Sequence, residues 1–274
     1  MQPDKDTQAI EIRLLLEAIH SKYGYDLRDY AKPSLERRVL AALAKSGLPN
    51  LGELQHQILT DAALFGRVLD DLTVRVSGFF RDPKFHLAFR DRVVPYLRTY
   101  PLLRIWHAGC AGGEEVYANA IVLHEEGLYD RCQLYATDVS PGALEHAKDG
   151  VYPAQDLPEL TKNYREAGGR SDPSIYYTAA YDRIAIKEPL RRNVLFFQHN
   201  LVSDHVFGEM QVVFCRNVLI YFEESLRRRV LAKLAESLCA GGFLCLGSSE
   251  KLSRASHEAF VELSEDGPIY RYEP

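Results

Sequence analysis

The stretch Ile105-Trp106-His107-Ala108-Gly109-Cys110-Ala111-Gly112-Gly113-Glu114-Glu115 decides the fold. An apolar strand runs into a glycine-rich turn, and two acids then open a helix. Glycines let a backbone approach a ligand where a Cβ would clash, and strand, turn and helix in this order build nucleoside-binding α/β sheets. The acids disfavour a phosphate at the turn and suit an adenosine hydroxyl or a cationic methyl donor. The spacing is not GxGxxG and no lysine follows, so neither a dinucleotide fingerprint nor a P-loop fits. The plain alternative is a tight turn whose acids complement the helix dipole.

Outward from this turn the chain alternates short β-rich runs with helical segments. Strands are predicted over Leu102–Ala108, Gln133–Thr137, Val194–His199, Val212–Arg216 and Phe243–Gly247, and helices over Glu114–Glu126, Pro141–Lys148 and Glu223–Leu238, the last ended by Ala240-Gly241-Gly242. That is the arithmetic of a parallel sheet. Phe260–Leu263 and Ile269–Tyr272, separated by Glu265-Asp266-Gly267-Pro268, predict an antiparallel hairpin at the sheet edge. Residues 151–192 are too long for a plain connection and alternate over Asp182–Lys187, which predicts a small inserted lobe. Before the sheet, from Thr7 to about Tyr96, apolar residues recur at helical spacing (Leu14, Ala18; Leu35, Val39, Leu43; Leu54, Ile58; Leu69, Leu72). The expected division is a helical domain with its linker over 1–96 and an α/β domain over 97–274.

Composition narrows the function. The chain has 274 residues with 33 basic and 38 acidic side chains, a net charge of −5. Neither half carries a basic stripe with interleaved aromatics, so no nucleic-acid partner is expected. Five cysteines form no CxxC pair and sit among apolar residues, which predicts reduced core thiols. The N-terminus lacks a signal pattern and no apolar run reaches membrane-spanning length, so a cytoplasmic protein is expected. Nine scattered histidines suggest no metal site, and His107, beside the glycine turn, reads as packing.

Asp138 ends the second strand, where an acid can hydrogen-bond two ribose hydroxyls; alone it would read as a helix N-cap. Asn200 and Asn217 follow two further strands, where amides face the same crevice or satisfy local turns. Then comes Phe214-Cys215-Arg216-Asn217-Val218-Leu219-Ile220-Tyr221-Phe222, and upstream Phe79-Phe80-Arg81-Asp82-Pro83. With Ala-Thr-Asp-Val-Ser at 136–140 and Gly247-Ser248-Ser249-Glu250, these motifs closely resemble, in order and over nearly the whole chain, the CheR family of chemotaxis-receptor methyltransferases.

The resemblance implies a Rossmann-like S-adenosylmethionine (SAM)-dependent methyltransferase domain with an N-terminal helical domain and a small inserted antiparallel β lobe. It implies methyl transfer to glutamate carboxylates of a chemoreceptor or related signalling protein, giving the methyl ester and S-adenosylhomocysteine (SAH). Arg81 and Tyr221 take the family's catalytic positions. Ser77, Ala108, Gly109, Glu115, Asp138, Val139, Asn200, Leu201, Asn217 and Val218 are carried over as cofactor contacts. Arg37, Arg38 and Arg75 are the expected substrate contacts, on an acidic helical segment of the partner. Three departures stand out: Arg75 and Ser77 replace an Asn and a Thr common in the family, the basic helix is thinned to Arg37, Arg38 and Lys45, and the inserted lobe lacks the glycine pattern of a receptor-tail docking site. The chain is expected to act as a monomer, peripheral to the membrane through its partner. A SAM-binding regulatory module with weak catalysis is the second expectation.

Overall fold

A computed structural model describes residues 5–73, 77–206, 208–252, 258–264 and 267–274. The chain opens with helices α1 (Lys5–Tyr23), α2 (Lys32–Ser46), α3 (Leu51–Thr60) and α4 (Ala62–Leu72). Their starts are set by local chemistry. Asn50 accepts the Glu53 N–H at 2.9 Å, and Asp61 accepts those of Ala63 and Leu64, satisfying donors that a helix start leaves unpaired. The core-facing stripe of α1 is Ile12, Leu15, Leu16 and Ile19; Leu14, expected in the core, is half exposed, because the stripe is rotated by one residue.

Next come α5 (Pro83–Arg92) and the short α6 (Val94–Leu97), then β1 (Leu103–Ala108), α7 (Glu114–Glu125), β2 (Cys132–Asp138) and α8 (Pro141–Asp149). The inserted lobe holds β3 (Val151–Pro153), α9 (Leu157–Glu166), β4 (Tyr177–Ala180) and β5 (Arg183–Ile186). Its strands form a separate antiparallel sheet in the order β3-β5-β4. After α10 (Glu188–Arg191) follow β6 (Val194–Gln198), β7 (Met210–Cys215), α11 (Glu224–Glu236), β8 (Leu238–Leu246), β9 (Phe260–Ser264) and β10 (Ile269–Tyr272).

The main sheet runs β6-β2-β1-β7-β8-β10-β9, with β6, β2, β1, β7 and β8 parallel and β10 antiparallel to both neighbours. The hairpin read from the C-terminal sequence forms this edge. One expectation fails: Ala240-Gly241-Gly242 does not end α11. The helix stops at Glu236, and the triplet lies inside β8, where Gly241 has φ +77° and the pairing with β7 slips register. A glycine pair marks a strand bulge as readily as a helix stop, and here hydrogen bonding to β7 decides it.

Alternation along the strands splits the core in two. Ile105, Val212, Phe214, Phe243 and Cys245 face a cluster with α5, α6, α7 and the lobe. Trp106, Ala108, Val213, Cys215, Leu244 and Leu246 face the other way, into one continuous cluster with α11 and the four N-terminal helices. The helical domain therefore completes the core of the sheet and is held beside the strand ends. All five cysteines are free and buried, as expected. No described helix is long and apolar enough to cross a membrane.

Candidate active site

Strand order reverses between β1, which continues outward to β2 and β6, and β7, which continues to β8. At such a switch point the loops leaving the strand ends diverge and open a crevice. One cleft occupies it. Its lining includes Ala108, Gly109, Glu115, Asp138, Val139, Asn200, Leu201, Asn217, Val218 and Tyr221 from the α/β domain, Ser77 and Arg81 from the linker, and Arg38 from α2. Arg37 is exposed on α2 and does not line it. Arg75 lies outside the described residues.

The glycine turn is tied down at every step. The Gly109 and Cys110 N–H groups both donate to the Thr137 carbonyl at 2.8 Å, fastening the turn to the end of β2. Gly109 has φ +79°, and a Cβ there would stand 2.6 Å from Val218 Cγ2, so this position demands glycine twice over. Asp138 receives the Ala111 N–H on Oδ2 and the Ser140 N–H on Oδ1, each at 2.9 Å. These bonds fix its orientation at the end of β2, on the lining of the cleft.

The two acids that open α7 diverge. Glu114 curls back under the turn, with Oε2 2.7 Å from where a Cβ on Gly112 would sit. Burial raises its pKa, and a hydrogen bond from Ser77 works the other way. Glu115 lines the cleft and pairs with Arg216 Nη1 at 2.5 Å. Burial raises the Glu115 pKa, partly offset by the Arg216 charge. Only one of the two carboxylates is thus presented to a ligand.

Sequence reasoning passed over Arg216. Its side chain is 1% exposed and pairs with both Glu115 and Asp82, the latter at 2.8 Å. Nε donates to the Leu246 carbonyl at 3.3 Å, Nη1 reaches the Arg81 carbonyl at 3.5 Å, and the guanidinium lies 3.9 Å from the Phe85 ring centroid. One residue thereby joins the linker, the start of α7 and the ends of β7 and β8. The available signal was an arginine closing an apolar strand: a charge so placed requires partners, and two acids stand near the other motifs.

Arg81 sits between two non-glycine residues of positive φ, Phe80 at +53° and Asp82 at +56°. Such backbone costs about 1–3 kcal/mol per residue and persists only when surroundings impose it. Here Phe79 packs edge-on against Tyr152, Phe80 against His86 and Tyr164, and Asp82 is held by Arg216. The Phe-Phe pair is the anchor that sets Arg81 in the cleft wall.

The opposite wall comes from the N-terminal domain. The Ala31 N–H donates to the Tyr221 carbonyl at 2.8 Å, and the Glu223 N–H to that of Asp29 at 2.9 Å, pairing the α1–α2 loop with the chain around Tyr221. The Ser140 hydroxyl donates to Asp70 Oδ1 at 2.5 Å. Tyr30, which the sequence did not suggest, is buried and lines the cleft. Arg38 donates to the carbonyls of Ser34 and Leu72 and lies 5.3 Å from the Tyr221 ring centroid. Asn200 lines the cleft too, although its Oδ1 is used by the Val202 N–H in a local turn. His107 stacks on Phe214 with ring centroids 4.6 Å apart, and burial, with Arg216 nearby, pushes its pKa down to about 3, which fits packing.

Comparison with known proteins bears on both halves. Residues 10–73 match the family described as "CheR methyltransferase, all-alpha domain", and residues 75–266 match "CheR methyltransferase, SAM binding domain". The chain is 47% identical over 272 residues to a Pseudomonas putida protein named "Putative methyltransferase Cher3", covering 99% of each. It is 30% identical over 231 residues to a "Chemotaxis protein methyltransferase" of Listeria monocytogenes, covering 84% of this chain and 85% of that one. With "Chemotaxis protein methyltransferase 1" of Pseudomonas aeruginosa it shares 33% identity over 251 residues, covering 85% and 87%.

Proposed function

Because the chain belongs to the CheR methyltransferase family and carries its SAM-binding domain, we propose that it methylates glutamate side chains of a chemoreceptor or related signalling protein. The observation that carries this reading is that one cleft is lined both by two carboxylates suited to a nucleoside, Asp138 and Glu115, and by Arg81, Arg38 and Tyr221. Guanidinium and phenol groups are the chemistry that holds a carboxylate acceptor.

When bound, the cofactor supplies an electrophilic methyl group on a sulfonium. Asp138, held by the Ala111 and Ser140 amides, accepts the ribose hydroxyls, and Glu115, held by Arg216, lies on the same floor beside the glycine turn. A glutamate is ionised at neutral pH and needs no general base to take the methyl group that the bound cofactor would supply. Arg81 orients the carboxylate and Tyr221 donates to its second oxygen, so the contribution of the protein is alignment and exclusion of water. The partner surface is an acidic helical segment, met by the chain as a monomer in the cytoplasm.

Incubation with methyl-labelled SAM and membranes containing candidate receptors tests this. Base-labile label on glutamate is expected, with Arg81→Ala lowering turnover by about 100-fold or more and Tyr221→Phe by about tenfold or more. Tight SAH binding without any methylated acidic protein would instead favour a regulatory module.

A further inference from the structure

Among the motifs, Gly247-Ser248-Ser249-Glu250 has no role in the site as described so far. Glu250 is 4% exposed, yet among the described residues no lysine, arginine or histidine pairs with it. Its carboxylate is spent on backbone. Oε2 accepts the Asn217 and Gly247 N–H groups, both at 2.7 Å, and Oε1 accepts the Ile220 N–H at 3.2 Å. Asn217 is itself in a left-handed conformation, φ +60°, and the next four residues lead directly to Tyr221. A Cβ on Gly247 would stand 2.7 Å from Glu250 Oε2 and 2.8 Å from the Asn217 nitrogen. Glycine at 247 and an acid at 250 thus form one device.

We propose that Glu250 is a positioning residue that holds the turn carrying Asn217, Val218 and Tyr221 against the end of β8. Charge-assisted bonds from backbone amides are stronger than neutral ones and point in fixed directions. A carboxylate serves three donors here because it only accepts. Glutamine would turn an NH2 group toward one of the donors and leave a buried N–H unmet. Glu250 touches neither methyl donor nor acceptor; it acts through Asn217 and Tyr221. The proposal rests on the reading of those two residues given above.

The test uses the full chain with Glu250→Gln. Amide hydrogen exchange over residues 216–222 is expected to quicken about tenfold or more, while β1 and β2 stay protected. SAH affinity, read by calorimetry, should fall about three- to tenfold, and kcat should fall further. In a Tyr221→Phe background the additional kcat loss should shrink well below its value in the wild type. Glu250→Asp, whose shorter side chain cannot reach all three amides, should reproduce the exchange pattern if Glu250→Gln does not fold. Faster exchange spread evenly over the sheet, unchanged exchange at 216–222, or unchanged SAH affinity and kcat would each overturn the proposal. The exchange and SAH arms need no methyl acceptor, so they stand even if glutamate methylation is disproved.

Discussion

The floor and the N-terminal wall of the cleft are built on different principles. On the floor, nearly every polar group has protein partners before a ligand arrives: Asp138 takes two backbone amides, Arg216 two carboxylates and Glu250 three amides. The wall is fastened across the domain boundary instead, through two backbone bonds beside Tyr221, the Ser140–Asp70 and Gln198–Tyr25 hydrogen bonds, the exposed Arg229–Asp29 ion pair and the apolar cluster shared with α11. A saturated floor suits a ligand that never changes, since preorganised dipoles need no rearrangement on binding. A wall fastened from a second domain takes its place from docking of that domain and not from a local motif.

Breaking the floor at Arg216 should give the largest effect. Arg216→Met keeps the bulk over Phe85 but leaves Asp82 and Glu115 without their cation. Removing one partner of a buried pair costs about 3–5 kcal/mol, so the urea midpoint should drop sharply. SAH affinity and turnover should fall together, because Glu115 and the Arg81 loop are released at once. Asp82→Asn separates the two: it frees only the Arg81 side, and turnover should fall with SAH affinity nearly kept. Equal loss of both in Asp82→Asn would show that the linker and the floor are not independently held.

The same contrast explains what could be read from the chain. Floor residues come in short local patterns, strand then glycine or strand then acid, and such patterns impose their own geometry; Gly109, Glu115, Asp138 and Asn217 were legible for that reason. Arg216 and Glu250 were quoted within motifs, but their roles come from partners far away in sequence: Arg216 meets Asp82 across 134 residues and Glu250 meets Asn217 across 33. Tyr30 was invisible because nothing around it differs from a core tyrosine, and only docking of the helical domain brings it to the cleft. Periodicity placed the helices of that domain but missed the rotation of α1 that exposes Leu14, since a polar-rich helix reports its buried stripe weakly.

A second, smaller effect follows from two neutral histidines behind the floor. His86 and His107 are both buried, and burial together with Arg216, and for His86 also Arg90, lowers their pKa values. The folded chain therefore resists protonation that the unfolded chain accepts near the ordinary pKa of about 6.5. Their contribution to stability is intact above that pH and is lost as pH falls toward about 3 for His107. Each histidine contributes a slope approaching about 1.4 kcal/mol per pH unit well below 6.5, so urea unfolding should show about 1–3 kcal/mol less stability at pH 5.5 than at pH 7.5. His107→Phe should flatten the slope; an unchanged slope would show that the histidine is protonated in the fold.

The smallest effect should come from the wall, and it divides two adjacent residues that the sequence treated alike. Arg38 lies against the Tyr221 ring inside the cleft, whereas Arg37 points to solvent from the next position on α2. On the proposed reading Arg38→Ala weakens the hold on the acidic acceptor, and KM for the methylated protein should rise about three- to tenfold with SAH affinity unchanged. Arg37→Ala removes only an exposed charge, worth well under about 1 kcal/mol, so KM should move by less than about threefold and most at low salt. If Arg37 proves the more important of the two, the acceptor is recognised across the outer face of α2 rather than at the cleft, and the wall is an edge of the docking surface and not a part of the catalytic pocket.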